Sequence, residues 1–330
     1  MKRLAFILVP LFLFACNLPS PAAVSPSQPA AQPTAAGAAA QPSAAPSVTS
    51  PSTPEPAVRR VVILSVDGLR PEAIELAPMP NLLALMKTGA YSLTAQTVRP
   101  SATLPAHSSM LTGLCPSKHG VDWNDYLPQK GAAQGVDLFD LARAAGMKNY
   151  MYAGKEKLRQ VTDASNLERF VYVNDRDKVV MQTLLADFPA HFGLLFVHFA
   201  TVDDMGHVYG WLSPEQLSVA FRADEAIGEL LFALSGRGLR GETLLIFTAD
   251  HGGHDNTHGS SLPEDMTIPW IISGPGIRAG ELTAPVHIAD TAATAAYALG
   301  LPIPAEWDGA PVFEAFGLPA ARREALLCPR

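Results

Sequence analysis

Five short, continuous apolar runs constrain this chain more than any other feature. The sharpest is Val61-Val62-Ile63-Leu64-Ser65-Val66, rich in β-branched residues and flanked by Arg60 and Asp67. A strand wetted on one face alternates polar and apolar residues, whereas a strand buried on both faces, as in a parallel sheet, does not. Similar runs recur at 149–153, 194–199, 243–248 and 268–273, and helical patterns lie between them at 81–87, 138–145, 178–188, 215–234 and 290–299. Strand and helix in alternation predict an α/β fold, a sheet sandwiched between helices on both faces. No internal repeat is visible in the sequence.

The pattern begins only near residue 58. Residues 1–16, MKRLAFILVPLFLFAC, place Lys2 and Arg3 ahead of an apolar run that is short for a membrane span and suited to a secretory leader. The end of that run, Leu13-Phe14-Ala15-Cys16, resembles the lipobox of bacterial lipoproteins. The resemblance implies lipidation at Cys16 and an exported protein, lipid-anchored to the cell membrane and facing its extracytoplasmic side. An ordinary leader with an incidental Cys16 is the alternative. Residues 17–57 hold ten of the 29 prolines and a single charged residue, Glu55. Such a stretch buries too little apolar surface to offset its ordering entropy, so a disordered Pro/Ala/Ser-rich linker is expected. Residues 58–330 remain as one domain.

Charge narrows the partners. The formal net charge is −7, and without residues 1–56 the count is 22 basic against 30 acidic residues, or −8. Nothing here would neutralise a run of nucleic-acid phosphates. The three cysteines, Cys16, Cys115 and Cys328, show no zinc-finger spacing, and no paired disulfide framework is expected.

Chemistry-capable residues collect where the strands end, which is where α/β folds place their ligands. The first run leads into Asp67-Gly68. The run at 194–199 leads into Thr201-Val202-Asp203-Asp204-Met205-Gly206-His207, and that at 243–248 into Asp250-His251-Gly252-Gly253-His254, with His258 close behind. One aspartate after a strand reads as a helix cap. Three strands ending in Asp or Asp/His, with glycines permitting close approach, read as a metal centre. Carboxylate with imidazole suits zinc or manganese, and two such clusters suggest two divalent ions.

In this order and spacing, Asp67-Gly68, Thr103-Leu104-Pro105-Ala106-His107, Asp203-Asp204-Met205-Gly206-His207, Asp250-His251-Gly252 and His258-Gly259 resemble the alkaline phosphatase superfamily. Within it they look like the type I phosphodiesterase/nucleotide pyrophosphatase branch. The resemblance implies an alkaline phosphatase-like fold with a mixed, mostly parallel sheet over 58–330. It implies two divalent metal ions, zinc favoured and manganese open. One would be held by Asp67, Asp250 and His251 and touched by the nucleophile Thr103. The other would be held by Asp203, His207 and His258. His254 competes with His258, and Asp204 with Asp203. Asn124 resembles the asparagine that holds a phosphoryl oxygen. His107 is expected to support the nucleophile loop, and His119, His191, His198 and His287 to be structural.

The implied activity is hydrolysis of phosphodiester or pyrophosphate bonds in a small phosphate-containing substrate, through a phosphothreonine. A sulfatase would need a Cys or Ser in a C/S-x-P-x-R context, and Thr103-Leu104-Pro105-Ala106-His107 offers neither that nucleophile nor the Arg. The sequence between Thr103 and Asp203 has little room for the transferase domain of a cofactor-independent phosphoglycerate mutase. Phosphonoacetate hydrolase is a nearer alternative, because its lysine-bearing segment resembles Gly154-Lys155-Glu156-Lys157-Leu158. Lys155 and Lys157 are then candidate anion-binding residues, against the plain reading of a solvated charged turn. Phosphomonoesterase activity at the same site and a non-catalytic metal-binding surface protein complete the alternatives. The sequence leaves the oligomeric state open.

Overall fold

The computed structural model describes residues 58–320 and Cys328. The leader, the Cys16 lipidation site and the linker lie outside the described residues. One eight-stranded sheet runs through the domain. Its strands are β1 (Arg60–Val66), β2 (Ala90–Gln96), β3 (Asn149–Ala153), β4 (Arg169–Tyr172), β5 (Leu194–Phe199), β6 (Thr243–Thr248), β7 (Thr267–Ser273) and β8 (Gly280–Glu281). Their order is β4-β3-β5-β1-β6-β7-β2-β8. Only β7 runs against the rest, antiparallel to both β6 and β2; the other pairings are parallel. The sheet is therefore mixed and mostly parallel, as the resemblance implies; the apolar runs point to its parallel part.

Burial explains which strands announce themselves. β5 and β6 are buried at every position and β1 at all but Arg60, so their sequences are continuous apolar runs. β2 reads AYSLTAQ with alternating burial, and β4 is a four-residue strand at the sheet's end, so neither gives such a run. One helical layer comprises Pro80–Thr88, Asp177–Ala186, Thr201–Tyr209 and Pro214–Gly236; the other comprises Thr103–Thr112, Leu138–Ala144 and Asp290–Ala298. The helix expected over 178–188 ends at Ala186.

Two helices are capped by carboxylates from a neighbouring helix. Asp224, buried in Pro214–Gly236, accepts from the backbone N–H of Asn81 at 3.0 Å and of Leu82 at 2.9 Å, at the start of Pro80–Thr88. Asp177 Oδ1 accepts from Ala200 N at 2.9 Å, Thr201 N at 3.0 Å and Thr201 Oγ1 at 2.7 Å, at the start of Thr201–Tyr209. Thr201 Oγ1 in turn accepts from Asp177 N at 3.1 Å, so these two helix starts satisfy each other's open donors.

The cysteine expectation is corrected here. Cys115 and Cys328 form a disulfide with Cα atoms 5.4 Å apart and a sequence separation of 213. Nothing in the local spacing could reveal a pair that only the tertiary fold brings together.

Candidate metal and phosphoryl-transfer site

Three adjacent strands build the centre. β1, flanked by β5 and β6, delivers Asp67 at its end; β5 leads into the helix carrying Asp203 and His207; β6 leads into Asp250-His251. Asp203 and His207 are four residues apart on Thr201–Tyr209, so they share one face of that helix, with His207 Nε2 3.5 Å from Asp203 Oδ1. Gly68 adopts φ +71°, and a Cβ there would lie 3.1 Å from the Asp203 backbone. Glycine thus permits both the left-handed turn after β1 and the close approach of the next donor. The Gly68 N–H donates to Asp250 Oδ1 at 3.1 Å, tying the first and third strand ends together.

The imidazoles are held in one tautomer. His207 Nδ1 lies 3.0 Å from Asn256 O, His251 Nδ1 2.7 Å from Gly252 O, and His258 Nδ1 2.8 Å from Ser101 O. A backbone carbonyl only accepts, so each Nδ1 carries a proton. In its neutral form each ring keeps a lone pair at Nε2, facing the carboxylates; His251 reaches that form only by losing the proton that Asp250 and Asp67 favour. His251 Nε2 is 3.3 Å from both Asp67 Oδ1 and Asp250 Oδ2, and His258 Nε2 is 3.6 Å from Asp203 Oδ1. Asp67 Oδ1, Asp203 Oδ1, Asp250 Oδ2 and His251 Nε2 are all buried without a hydrogen-bond partner. Orphaned buried acceptors are costly. Here they converge into two donor groups, Asp203/His207/His258 and Asp67/Asp203/His251, each compact enough for one ion. Carboxylate oxygens with imidazole nitrogens fit a divalent metal such as zinc or manganese. The second grouping has Asp203 in place of the Asp250 of the expected Asp67/Asp250/His251 set, so Asp203 is common to both groups; Asp250 Oδ2 lies 3.3 Å from His251 Nε2 at its edge. His254 turns away, its Nδ1 2.7 Å from Asp265 Oδ1.

Thr103 is the first residue of the buried helix Thr103–Thr112, with Ala102 in the cap position, so its hydroxyl is not taken up in capping the helix. That hydroxyl donates to Asp67 Oδ2 at 3.3 Å and accepts from Lys155 Nζ at 3.3 Å. Lys155 sits deeper than an anion-binding turn would place it, 2.7 Å from Asp67 Oδ2 and 2.6 Å from Asp203 Oδ2. Burial opposes its charge, but the carboxylates of Asp67, Asp203 and Asp250 raise its pKa further above the ordinary lysine value. Burial also works against the Asp67 charge, yet Lys155, His198 and His251 hold that carboxyl well below the usual range. Asp250 moves the other way, raised by burial and then by Asp67. Lys157 is half-buried and forms no ion pair among the described residues; burial and Lys155 depress its ammonium.

Asn124 Oδ1 accepts from Leu104 N at 2.9 Å, which leaves its amide N–H₂ available beside the Thr103 helix start. His107 bridges Thr103 O at 2.7 Å and Ser65 Oγ at 2.8 Å, the supporting role expected of it. Two participants are invisible in the sequence. His198 Nε2 lies 3.0 Å from Asp67 Oδ2, inside β5 and in register with Ser65. Trp211 Nε1 donates to Gly68 O at 2.8 Å. A cavity of about 970 Å³ lies at the ends of β3, β4 and β5, lined by Gly154, Asn174, Thr201, Asp204, Met205 and Arg222 among others and by none of the donor residues.

Residues 61–266 match the family described as type I phosphodiesterase / nucleotide pyrophosphatase. The catalytic subunit of human GPI ethanolamine phosphate transferase 2 is 27% identical over 289 residues, covering 79% of this chain and 28% of that protein. Human ectonucleotide pyrophosphatase/phosphodiesterase family member 5 is 26% identical over 219 residues, covering 60% of this chain and 46% of that one. The chain therefore spans under half the length of these curated relatives. Among solved structures, a mutant of the alkaline phosphatase PafA superposes with a TM-score of 0.67 at 13% identity, covering 80% of this chain and 100% of that one. At that identity the likeness speaks for the fold alone.

Proposed function

The chain belongs to the type I phosphodiesterase/nucleotide pyrophosphatase family, and on that premise we propose that it hydrolyses phosphodiester or pyrophosphate bonds in a metal-dependent reaction through a phosphothreonine at Thr103. One observation carries the reading. The Thr103 hydroxyl, within 3.3 Å of both an ammonium and a carboxylate, opens a buried helix at the edge of the Asp/His donor cluster.

Asp203, His207 and His258 would hold one divalent ion, and Asp67, Asp250 and His251 the other, with Asp203 near enough to serve both. Such a pair supplies Lewis acidity to the attacking and leaving oxygens of an in-line displacement. This chain's own groups do the rest. The Thr103 hydroxyl gives up its proton toward Asp67 Oδ2, and the N-terminal end of its helix favours the alkoxide. That oxygen attacks phosphorus as the bond from phosphorus to the leaving alcohol or phosphate oxygen breaks, the leaving oxygen taking a proton from solvent. Lys155 offsets charge on the transferring group, and the Asn124 amide donates to one of its non-bridging oxygens. Water on the opposite side then releases the phosphoryl group from Thr103.

The family match supports a diester or pyrophosphate over a monoester. The disulfide favours export, because such bonds persist in oxidising compartments. One relative, matching 79% of this chain, is a GPI ethanolamine phosphate transferase by name, which favours a second reading: an acceptor alcohol, instead of water, takes the phosphoryl group from Thr103.

The test is a panel of nitrophenyl phosphate monoester and diester, a dinucleotide and phosphonoacetate, run with zinc and with manganese on wild type and Thr103→Ala. Diester turnover that vanishes in a folded, metal-loaded Thr103→Ala is expected. Monoester-only turnover, or full activity in the variant, overturns the proposal. Ethanolamine added to the diester reaction separates transfer from hydrolysis by the product formed.

A further inference from the structure

We infer that Trp211 is the positioning residue that fixes the orientation of His207 and His258, and with it the metal affinity of the Asp203/His207/His258 group. This rests on reading that group as a metal site.

The sequence places Trp211 immediately after Gly210, which ends the helix carrying Asp203 and His207. Its backbone N–H donates to Asp255 O at 2.8 Å, and its side chain is folded inward, 9% exposed. The indole lies against both imidazoles. Its ring centroid is 5.2 Å from that of His207 at an interplanar angle of 87°, and 5.9 Å from that of His258 at 68°. These are edge-on aromatic contacts of the favoured kind. The two imidazoles are themselves 5.0 Å apart.

Space has been cleared for the indole. A Cβ on Gly253 would lie 2.1 Å from Trp211 Cε2, and a Cβ on Gly206 would lie 2.9 Å from Trp211 Cδ2 and Cε2. Neither glycine has a positive φ, so room and not backbone conformation requires them. At Gly253 the room is for the indole, and at Gly206 for the indole together with Gln216 Nε2, which would lie 2.7 Å from a Cβ there. Gly206 stands between Asp203 and His207 on one helix face, and Gly253 follows His251-Gly252. The Nε1–H bond to Gly68 O fixes the ring at a third point, next to Asp67.

The physical need is specific. Each imidazole has a single hydrogen bond, from Nδ1 to a backbone carbonyl. One bond sets the tautomer but leaves the ring plane able to rock about that contact. A flat, rigid side chain wedged against both rings removes that freedom and aims both Nε2 lone pairs at Asp203 Oδ1. Outer partners of metal ligands typically change affinity by about 10–100-fold when lost.

The experiment is zinc binding by titration calorimetry on the full chain after metal stripping, comparing wild type with Trp211→Leu and Trp211→Phe. Leucine keeps apolar bulk without the flat edge; phenylalanine keeps the edge and loses the N–H. Two ions are expected in wild type, and fewer than two would overturn the metal reading itself. In Trp211→Leu one ion should bind as in wild type and the other about 10–100-fold more weakly, with Trp211→Phe between the two. Unchanged affinity at both sites in Trp211→Leu overturns the proposal. So does equal weakening at both, which marks a general loosening. Trp211→Phe carries the same test, with a smaller expected shift, should Trp211→Leu not fold.

Discussion

His251 and His258 stack face to face, ring centroids 3.8 Å apart and planes 18° from parallel. Two stacked imidazoles do not both carry charge comfortably, and their surroundings divide them. Burial opposes a charge on His251, but Asp250 and then Asp67 outweigh it and raise that ring to about 9. Burial and then the facing His251 push His258 down to about 4.

Metal uptake at the His251 group therefore has to expel a proton at neutral pH, whereas His258 is already neutral above about pH 4. Affinity at that group should fall as pH drops from about 9, by up to tenfold per unit. Zinc titrations at pH 7.5 in two buffers of different ionisation enthalpy measure the release. A heat independent of buffer would refute it.

Asp203 is the one carboxylate common to both donor groups. Asp203→Asn should weaken both ions by more than about 100-fold, beyond what loss of an outer partner costs. His258→Gln should spare the Asp67/Asp203/His251 group. Metal content after dialysis against a weak chelator checks both, and retention of one tight ion in Asp203→Asn would contradict the shared role.

Asn124→Ala removes the amide offered to the phosphoryl oxygen and leaves Leu104 N without its acceptor. The expected loss is about 10²–10³-fold in kcat, with metal content unchanged, as for an oxyanion-hole donor. Steady-state kinetics beside elemental analysis test it. A change confined to KM would point to ground-state binding.

Asp177 gives the fold a pH dependence of known sign. Its carboxyl, 3% exposed and raised by burial to about 6, holds its proton more tightly folded than unfolded. Stability should therefore fall as pH rises from about 4 through 6, by about 3 kcal/mol at most. Asp177→Asn keeps an acceptor for Ala200 and Thr201 and should flatten that slope. Urea midpoints at pH 4.5 and 7.5 measure the difference, and an unchanged slope would assign it to other groups.

Cys115→Ser should destabilise the domain by about 2–4 kcal/mol, as closing so long a loop suggests. Reductant should bring wild type to the same urea midpoint and leave the variant unmoved.

What was legible in the sequence follows burial. The apolar runs at 149–153, 194–199 and 243–248 coincide with strands because all three lie inside the sheet. β2 and β4 escape because half-buried or very short strands carry no such run. The Asp and His donors are readable at strand ends because topology gathers those ends in one place. The depth of Lys155 is not, since a lysine two residues beyond a strand looks the same whether it points to water or to Asp67. Trp211 leaves only an indirect trace, the bare Gly206 and Gly253 on either side of it, and those also read as turn residues. The Cys115–Cys328 bond leaves none.

The three strands that lead to Asp67, Asp203 and Asp250 are neighbours in the sheet yet far apart along the chain. No fragment short of the full β5-β1-β6 core can hold both donor groups, so an unfolded chain competes poorly for the ions. Every increment of metal bound to the native state then shifts the folding equilibrium by mass action, about 2.7 kcal/mol at a free concentration 100 times the dissociation constant. With the donor groups binding metal as proposed, the supply of divalent cation would set how much of the chain is folded.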